Sequence, residues 1–260
     1  MTEREPSPSS ILVDVELPDP EPLPGELVSV LAPLRVVLAG WYVVPEQTSP
    51  AQARDQFEGE AQSALATVAR RFETAGATNV TSRLVFTGDQ LDTLTRISTE
   101  EACDAVLVPA PMEHLRRLLV PLRGLENAAH ILPFIANLME GSDGTTNVTL
   151  LHVLEEDEVE GTVQEDILGP AVEQLAAHGV DTSLVERRVR ATDDPAGTIV
   201  EEARRHDLVV IGETRPSARS ILFGTVPERI VQEGDVPVVV VRHAEDELTM
   251  AERATQSESS

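Results

Sequence analysis

The stretch VVIGETRPSARSILFGTVPERIVQEGDVPVVVV, Val209–Val240, decides the fold class. Its two Val/Ile runs are continuous apolar segments, as expected of strands buried on both faces of a parallel sheet. Between them, a loop with Gly212, Arg215, Arg219 and Gly224 leads into a helix. The order strand, loop, helix, strand predicts an α/β protein whose loop lies at the carboxyl edge of the sheet, where ligands of such sheets bind.

Nine segments of strand length occur along the chain, several of them continuous Val/Leu/Ile runs, and segments with helical spacing separate them. In one such segment, apolar residues recur at steps of four and three from Phe57 to Phe72, and Gly76 follows as a helix-ending residue. A later segment repeats this arrangement before Gly179. The alternation predicts a doubly wound α/β fold. The predicted strands cover residues 11–17, 35–44, 82–88, 104–111, 116–124, 147–155, 182–190, 207–212 and 236–242.

An internal repeat relates the two halves of the chain. Gly76 and Gly179 lie 103 residues apart, and Asp104 and Asp207 are separated by the same distance. The segments around these pairs run in register without a gap. This register indicates duplication of one α/β unit, and the alternative is a chance agreement of patterns.

We divide the chain into four parts. Residues 1–9 and the acidic residues 244–260 contain too few apolar side chains to offset the conformational entropy lost on ordering. They are predicted to be disordered tails. Residues 10–115 form a degenerate first unit, and residues 116–243 form a complete second unit. Because the first unit lacks a counterpart of residues 213–234, we expect it to complete its sheet against the second unit or another chain.

The charge of the chain restricts its partners. It has 45 acidic and 20 basic residues, and every basic residue is an arginine, which gives a net charge of −25. Such a charge excludes nucleic acid and anionic membrane surfaces as partners, because both require a cationic surface. Acidic excess without lysine indicates a halophilic protein adapted to molar salt. The alternative is an acidic interaction protein from an ordinary cytoplasm.

One apolar segment, residues 27–44, approaches the length of a membrane span. Pro33 and Arg35 lie at its centre, so we interpret it as a helix end followed by a buried strand. Residues 1–10 contain no apolar signal core. We therefore expect a cytoplasmic protein without direct membrane insertion.

Catalytic and metal-binding patterns are scarce in the sequence. Cys103 is the single cysteine, which excludes an internal disulfide, and its position before an apolar strand favours a buried packing role. The six histidines show no metal-ligand spacing, and His152 is predicted to be a hydrogen-bonded core or strand-end residue. The sequence contains no Walker loop, nucleophile elbow or dinucleotide fingerprint. We therefore expect no metal site and no enzymatic activity.

Residues 115–243 resemble the universal stress protein family. The similarity rests on the segments LLVPLRGLENA, VTLLHVLEED, DDPAGTIVEEARRHDLVVIGETRP and FGTVPERIVQEGDVPVVVVR, in that order. The first half is similar to the same family through its register with the second. The resemblance implies two Rossmann-like units with doubly wound parallel sheets, the first truncated, in a tandem pair or a homodimer.

Nucleotide-binding members of this family carry the pattern G-x2-G-x9-G-[ST] after the fourth strand and an aspartate at the end of the first strand. Gly212 matches the first glycine, and Gly224 with Thr225 matches the final pair. Arg215 stands at the second glycine, the span is one residue short, and Arg123 stands at the aspartate. Arginine cannot bring the backbone as close to a phosphate as glycine can. The resemblance therefore implies weak or altered binding of ATP or another adenine nucleotide.

Arginine side chains offer a second way to bind an anion at this edge, because guanidinium groups beside a helix N-terminus attract phosphate. Each of these residues also has a structural interpretation that needs no ligand. The arginines pair with acids such as Glu213 or Glu228, and Gly212 serves only the turn after a strand. Thr225 caps a helix in the capping box TVPE. The candidate nucleotide or anion site comprises Arg123, Gly212, Arg215, Arg219, Gly224 and Thr225.

We expect a soluble regulatory module of the universal stress protein type with a nucleotide or anion site in its second unit. The alternative is a ligand-free scaffold of the same fold that acts by dimerisation or by contacting another protein. The passage PLRGLENAAHILPFIANLM is similar to such domains appended to membrane transporters, which implies a transporter as the partner.

Overall fold

The computed structural model describes residues 9–44, 49–142, 144–213, 225–233 and 236–242. Within these ranges the strands form one sheet in the order β3-β2-β1-β4-β9-β8-β5-β6-β7. The strands are β1 Ser10–Leu17, β2 Arg35–Val43, β3 Val80–Thr87, β4 Ala105–Val108, β5 Arg117–Pro121, β6 Asn147–Val153, β7 Val185–Arg190, β8 Leu208–Gly212 and β9 Val238–Val241.

Helices cover both faces of the sheet, as a doubly wound fold requires. On one face, α1, α2, α4 and α6 pack in one buried cluster, and α3, α7 and α8 pack on the other face. A π-helical turn, Gln164–Leu168, joins α5 to α6. The helices are α1 Gly25–Leu31, α2 Pro50–Thr74, α3 Gln90–Glu100, α4 Leu125–Glu140, α5 Glu160–Val163, α6 Gly169–Ala177, α7 Pro195–Ala203 and α8 Thr225–Glu233.

The predicted strands are all present, with differences at their ends. β4 stops at Val108 rather than at residue 111, because Pro109 and Pro111 have no N–H group to donate to a neighbouring strand. β7 begins at Val185 rather than at residue 182, because Thr182–Leu184 form a 3₁₀ turn. These differences concern strand ends alone, and the predicted α/β architecture is confirmed.

The second half of the chain completes the sheet of the first half. β4 pairs with β9 in antiparallel register, with Ala105 opposite Val241 and Val108 opposite Val238, whereas the other described pairings are parallel. Residues 109–116 lead from β4 to β5 without a helix. The expectation that the first unit completes its sheet against the second unit is therefore confirmed. We call β1–β4 the first half-sheet and β5–β9 the second half-sheet.

The residues that mark the sequence repeat have the same structural roles in both halves. Gly76 and Gly179 follow α2 and α6 with φ of +98° and +87°, a conformation that glycine adopts without strain. A carboxylate oxygen of Asp104 accepts the N–H of Ser10 at 2.7 Å. Asp207 accepts the N–H of Arg117 at 2.8 Å in the same way. This equivalence supports the interpretation of the chain as a duplicated unit.

The apolar segment 27–44 divides between α1 and β2, as the sequence predicts. Among the helices in the described part of the chain, none is long and apolar enough to cross a membrane.

Candidate functional site

Two of the predicted site residues lie at the ends of neighbouring parallel strands. β5 pairs with β6 on one side and with β8 on the other. Arg123 follows the end of β5 by two residues, and Gly212 is the last residue of β8. Since the helices after β5 and β8, α4 and α8, cover opposite faces of the sheet, this is the point where the winding of the sheet reverses. Ligands of doubly wound sheets bind at such a point.

The Arg123 side chain is open to solvent at this edge. It is 84% exposed, and its Nη2 atom lies 3.9 Å from the Glu155 carboxylate, which is 68% exposed and follows β6. An ion pair this long and this exposed contributes at most about 1 kcal/mol. The predicted pairing of arginines with acids therefore holds Arg123 weakly, and its guanidinium group can receive an anion.

Gly212 lies beside a buried acid. The Glu213 N–H donates to the carbonyl oxygen of Val241 at 2.7 Å, which extends the pairing between β8 and β9 by one residue. The Glu213 residue is 6% exposed. Gly212 therefore ends β8 next to a buried residue whose backbone continues the pairing with β9.

Helix α8 begins at Thr225, so its N-terminus lies toward the carboxyl edge of β8, from which the chain arrives. Ile230 anchors the helix in the α3–α7 face of the core. The Glu228 carboxylate accepts a hydrogen bond from the Gln232 side chain at 3.0 Å, one turn further along the helix. The remaining predicted site residues lie outside the described residues, namely Arg215, Arg219, Gly224 and the side chain of Thr225.

A buried acid in the first half-sheet was missed by the sequence analysis. Asp14, on β1, is 4% exposed, and one of its carboxylate oxygens accepts a 2.6 Å hydrogen bond from the Gln90 side chain. Burial raises the pKa of Asp14 to about 7, and the nearby Gln90 amide and Trp41 indole offset that effect in part. The signal in the sequence was an aspartate inside the apolar run ILVDVEL.

The structure confirms that His152 is a buried strand residue with a hydrogen bond to one of its two ring nitrogens. His152 is 1% exposed, and its Nε2 atom lies 2.7 Å from the Glu158 carboxylate. Its Nδ1 atom has no hydrogen-bond partner among the described residues. Burial alone would raise the pKa of Glu158, but hydrogen bonds from the Glu155 N–H and from His152 outweigh it, and the pKa is lowered. This acid therefore fastens the loop after β6 to the strand.

A cluster of charged side chains joins α7 to β7. The Glu202 carboxylate, 3% exposed, binds Arg188 at 2.8 Å, Arg190 at 3.1 Å and Arg205 at 3.1 Å. Burial would raise the pKa of Glu202, but Arg188 and Arg190 outweigh that effect and lower it. Glu186 also pairs with Arg188 and Glu201 with Arg205, so three carboxylates balance the three arginines and the cluster holds α7 against β7.

The predicted packing role of Cys103 is also confirmed. The residue is buried at 3% exposure, and burial raises the pKa of its thiol to about 11, which suppresses the reactive thiolate. Within the described ranges no group of three His, Cys, Asp or Glu side chains could hold a metal ion. At the described carboxyl edge, the Arg123 guanidinium is an exposed hydrogen-bond donor with a positive charge.

Comparison with known proteins identifies relatives of this fold. Residues 114–242 match the model of the universal stress protein family. A universal stress protein from Archaeoglobus fulgidus DSM 4304 is 14% identical, with a TM-score of 0.60 over 92% of this chain and 98% of that chain. A functionally unknown protein from Pseudomonas aeruginosa PAO1 is 14% identical, with a TM-score of 0.54 over 96% of this chain and 98% of that chain. At this identity, both structures show a shared fold that extends across both halves. No curated protein matches the sequence.

Proposed function

The chain belongs to the universal stress protein family through residues 114–242, and on that premise we propose that it is a regulatory module that binds an adenine nucleotide or another anion weakly. The observation that carries the proposal is the exposed Arg123 guanidinium at the same edge of the sheet as Gly212, where the neighbouring strands β5 and β8 end. Regulation, rather than catalysis, is proposed because neither the sequence nor the described carboxyl edge offers a nucleophile paired with a base.

Recognition at this edge would differ from that of family members that carry the full glycine pattern. Arginine in place of aspartate at position 123 removes an acceptor for ribose hydroxyls and adds a donor for phosphate. Arg215 at the second glycine of the pattern keeps the backbone farther from a phosphate than glycine would. The two replacements favour weak binding in which the phosphate contributes more than the nucleoside.

Thermal unfolding in molar salt tests the proposal, with ATP, AMP, cyclic AMP and inorganic triphosphate at millimolar concentration. A ligand at one hundred times its dissociation constant should add about 2.7 kcal/mol of stability. Arg123→Ala and Arg215→Ala should remove the shift, whereas the control Arg96→Ala, in α3, should keep it. Equal shifts with triphosphate and ATP indicate an anion site, and larger shifts with ATP indicate a nucleotide site.

A ligand-free scaffold is the second candidate, favoured by the interrupted glycine pattern. Absence of a shift with every anion in the folded protein would decide for it. The protein partner that we propose in that case is a membrane transporter. A binding assay between this protein and the isolated cytoplasmic region of the transporter tests it.

Three further properties belong to the same proposal, namely a cytoplasmic location, a homodimer and no enzymatic activity. Since β4 and β9 pair within one chain, a dimer that extends the described sheet would use the edge of β3 or of β7. Light scattering of the purified protein measures the assembly. Phosphate release from ATP should equal that of buffer.

A further inference from the structure

Three elements of the first half-sheet meet at a buried polar cluster. Asp14 on β1 lies opposite Ala39 of β2, and Trp41 follows two residues later on the same face of β2. Gln90 is the first residue of α3 and reaches Asp14 from the helix side. Asp14 is 4% exposed and Trp41 is 8% exposed, so this cluster lies inside the protein.

The hydrogen bonds of this cluster are incomplete. Oδ2 of Asp14 accepts from the Gln90 amide at 2.6 Å. Oδ1 of Asp14 and the indole Nε1 of Trp41 form no hydrogen bond of normal distance and angle in the described part of the chain, although the indole lies close enough to lower the pKa of Asp14. An unpaired acceptor and an unpaired donor in a protein interior are costly, and such groups mark positions where a proton or a small molecule changes the balance.

The charges around Asp14 favour its neutral form. Glu16, on the same strand, raises the pKa of Asp14 further, whereas β2 and α3 face it with the neutral Trp41 and Gln90 side chains. The first turn of α3 adds the acids Asp89 and Asp92. Among the described residues, no arginine forms an ion pair with Asp14. Hydrogen bonding from Gln90, Trp41 and the Val15 N–H favours the ionised form, as does the N-terminus of α3, but burial outweighs it.

We propose that Asp14, Trp41 and Gln90 form a proton-binding site that couples the packing of α3 on the first half-sheet to pH. When Asp14 binds a proton, the neutral carboxyl stays buried beneath Gln90. When it releases the proton, the carboxylate requires hydration that the closed core cannot supply. Water then reaches the site, and the first turn of α3 moves away from the sheet. This site is independent of the proposed anion site, which lies in the second half-sheet.

Trp41 is the only tryptophan in the chain, so its fluorescence reports on this site alone. We would record its emission from about two pH units below neutrality to about two units above, with far-UV circular dichroism to verify folding. The wild-type protein should show one transition centred near pH 7, the pH set by the carboxyl group of Asp14. Asp14→Asn should show none, and the control Glu16→Gln, an exposed acid on the same strand, should retain it.

A second variant keeps the test decisive if Asp14→Asn does not fold. The amide of Gln90 lowers the pKa of Asp14, so Gln90→Leu should move the fluorescence midpoint to higher pH. A midpoint that Gln90→Leu leaves in place would overturn the proposal. The same holds for a transition that persists in folded Asp14→Asn, or for a wild-type emission that does not change with pH.

Discussion

Replacing Asp14 with asparagine should stabilise the protein above neutral pH, and the gain should vanish in acid. Burial raises the pKa of Asp14 from 3.8 to about 7 in the folded protein. The folded state therefore holds its proton more tightly than the unfolded chain. The contribution of Asp14 to the free energy of unfolding is most favourable below about pH 4. It falls as the pH rises from about 4 to about 7, and above that it stays constant. Asparagine does not titrate, so the variant avoids this loss.

The size of the effect follows from the two pKa values. Each pH unit between them lowers the wild-type free energy of unfolding by about 1.4 kcal/mol relative to the variant. Over the interval from 3.8 to about 7, the ceiling is about 4 kcal/mol. Because water that enters beside the carboxylate reduces the penalty, we expect a gain of about 2 to 4 kcal/mol at about pH 8.

Urea unfolding of the two proteins at a series of pH values, followed by far-UV circular dichroism, measures this difference. Every other acidic residue is common to both proteins, so its contribution cancels when the free energies are subtracted. Glu16→Gln is the matched control, and it should leave the pH-dependent slope of the wild-type protein in place. A difference that does not change with pH, or one that favours the wild type as the pH rises, would refute the reasoning.

Two glycines, one ion cluster and the surface charge give three further predictions. Gly141→Ala should lower the free energy of unfolding in urea by about 1–3 kcal/mol, because a Cβ atom there would lie 2.9 Å from the backbone oxygen of Val30. The control Gly59→Ala lies in open space within α2, and it should raise the free energy of unfolding by about 0.5–1 kcal/mol. Glu202→Gln should cost about 3 kcal/mol at neutral pH, against less than about 0.5 kcal/mol for the 71% exposed Glu201→Gln. The pKa of Glu202 is lowered in the folded protein, so ionised Glu202 stabilises the fold fully above its usual pKa of 4.5, and this stabilisation is lost as the pH falls further. The free energies of unfolding of Glu202→Gln and Glu201→Gln should therefore converge in acid. The melting temperature should rise with potassium chloride up to molar concentration, because salt screens a net charge of −25, and a flat response would contradict the halophilic interpretation.

Most of the architecture could be predicted from local patterns. Segments of strand length predict all nine strands. The inner strands are continuous apolar runs because both of their faces are buried, whereas the edge strands β3 and β7 carry polar residues. Gly76 and Gly179 mark helix ends, because their positive φ values favour glycine at those positions. The placement of Arg123 and Gly212 at one edge follows from strand direction alone, and the structure brings both to that edge.

What the sequence by itself determined is the set of elements, their order and the edge of the second half-sheet where a ligand would bind. The tertiary structure decided the antiparallel junction of β4 with β9, the burial of Asp14 beneath Gln90 and the three arginines around Glu202. β4 and β9 lie far apart in the chain, as Asp14 and Gln90 do, and the Glu202 cluster joins a strand to a helix, so no periodicity in a single segment encodes these contacts. The sequence shows Asp14 inside an apolar run, but only packing shows that this one of the 45 acids is removed from water and has a changed pKa.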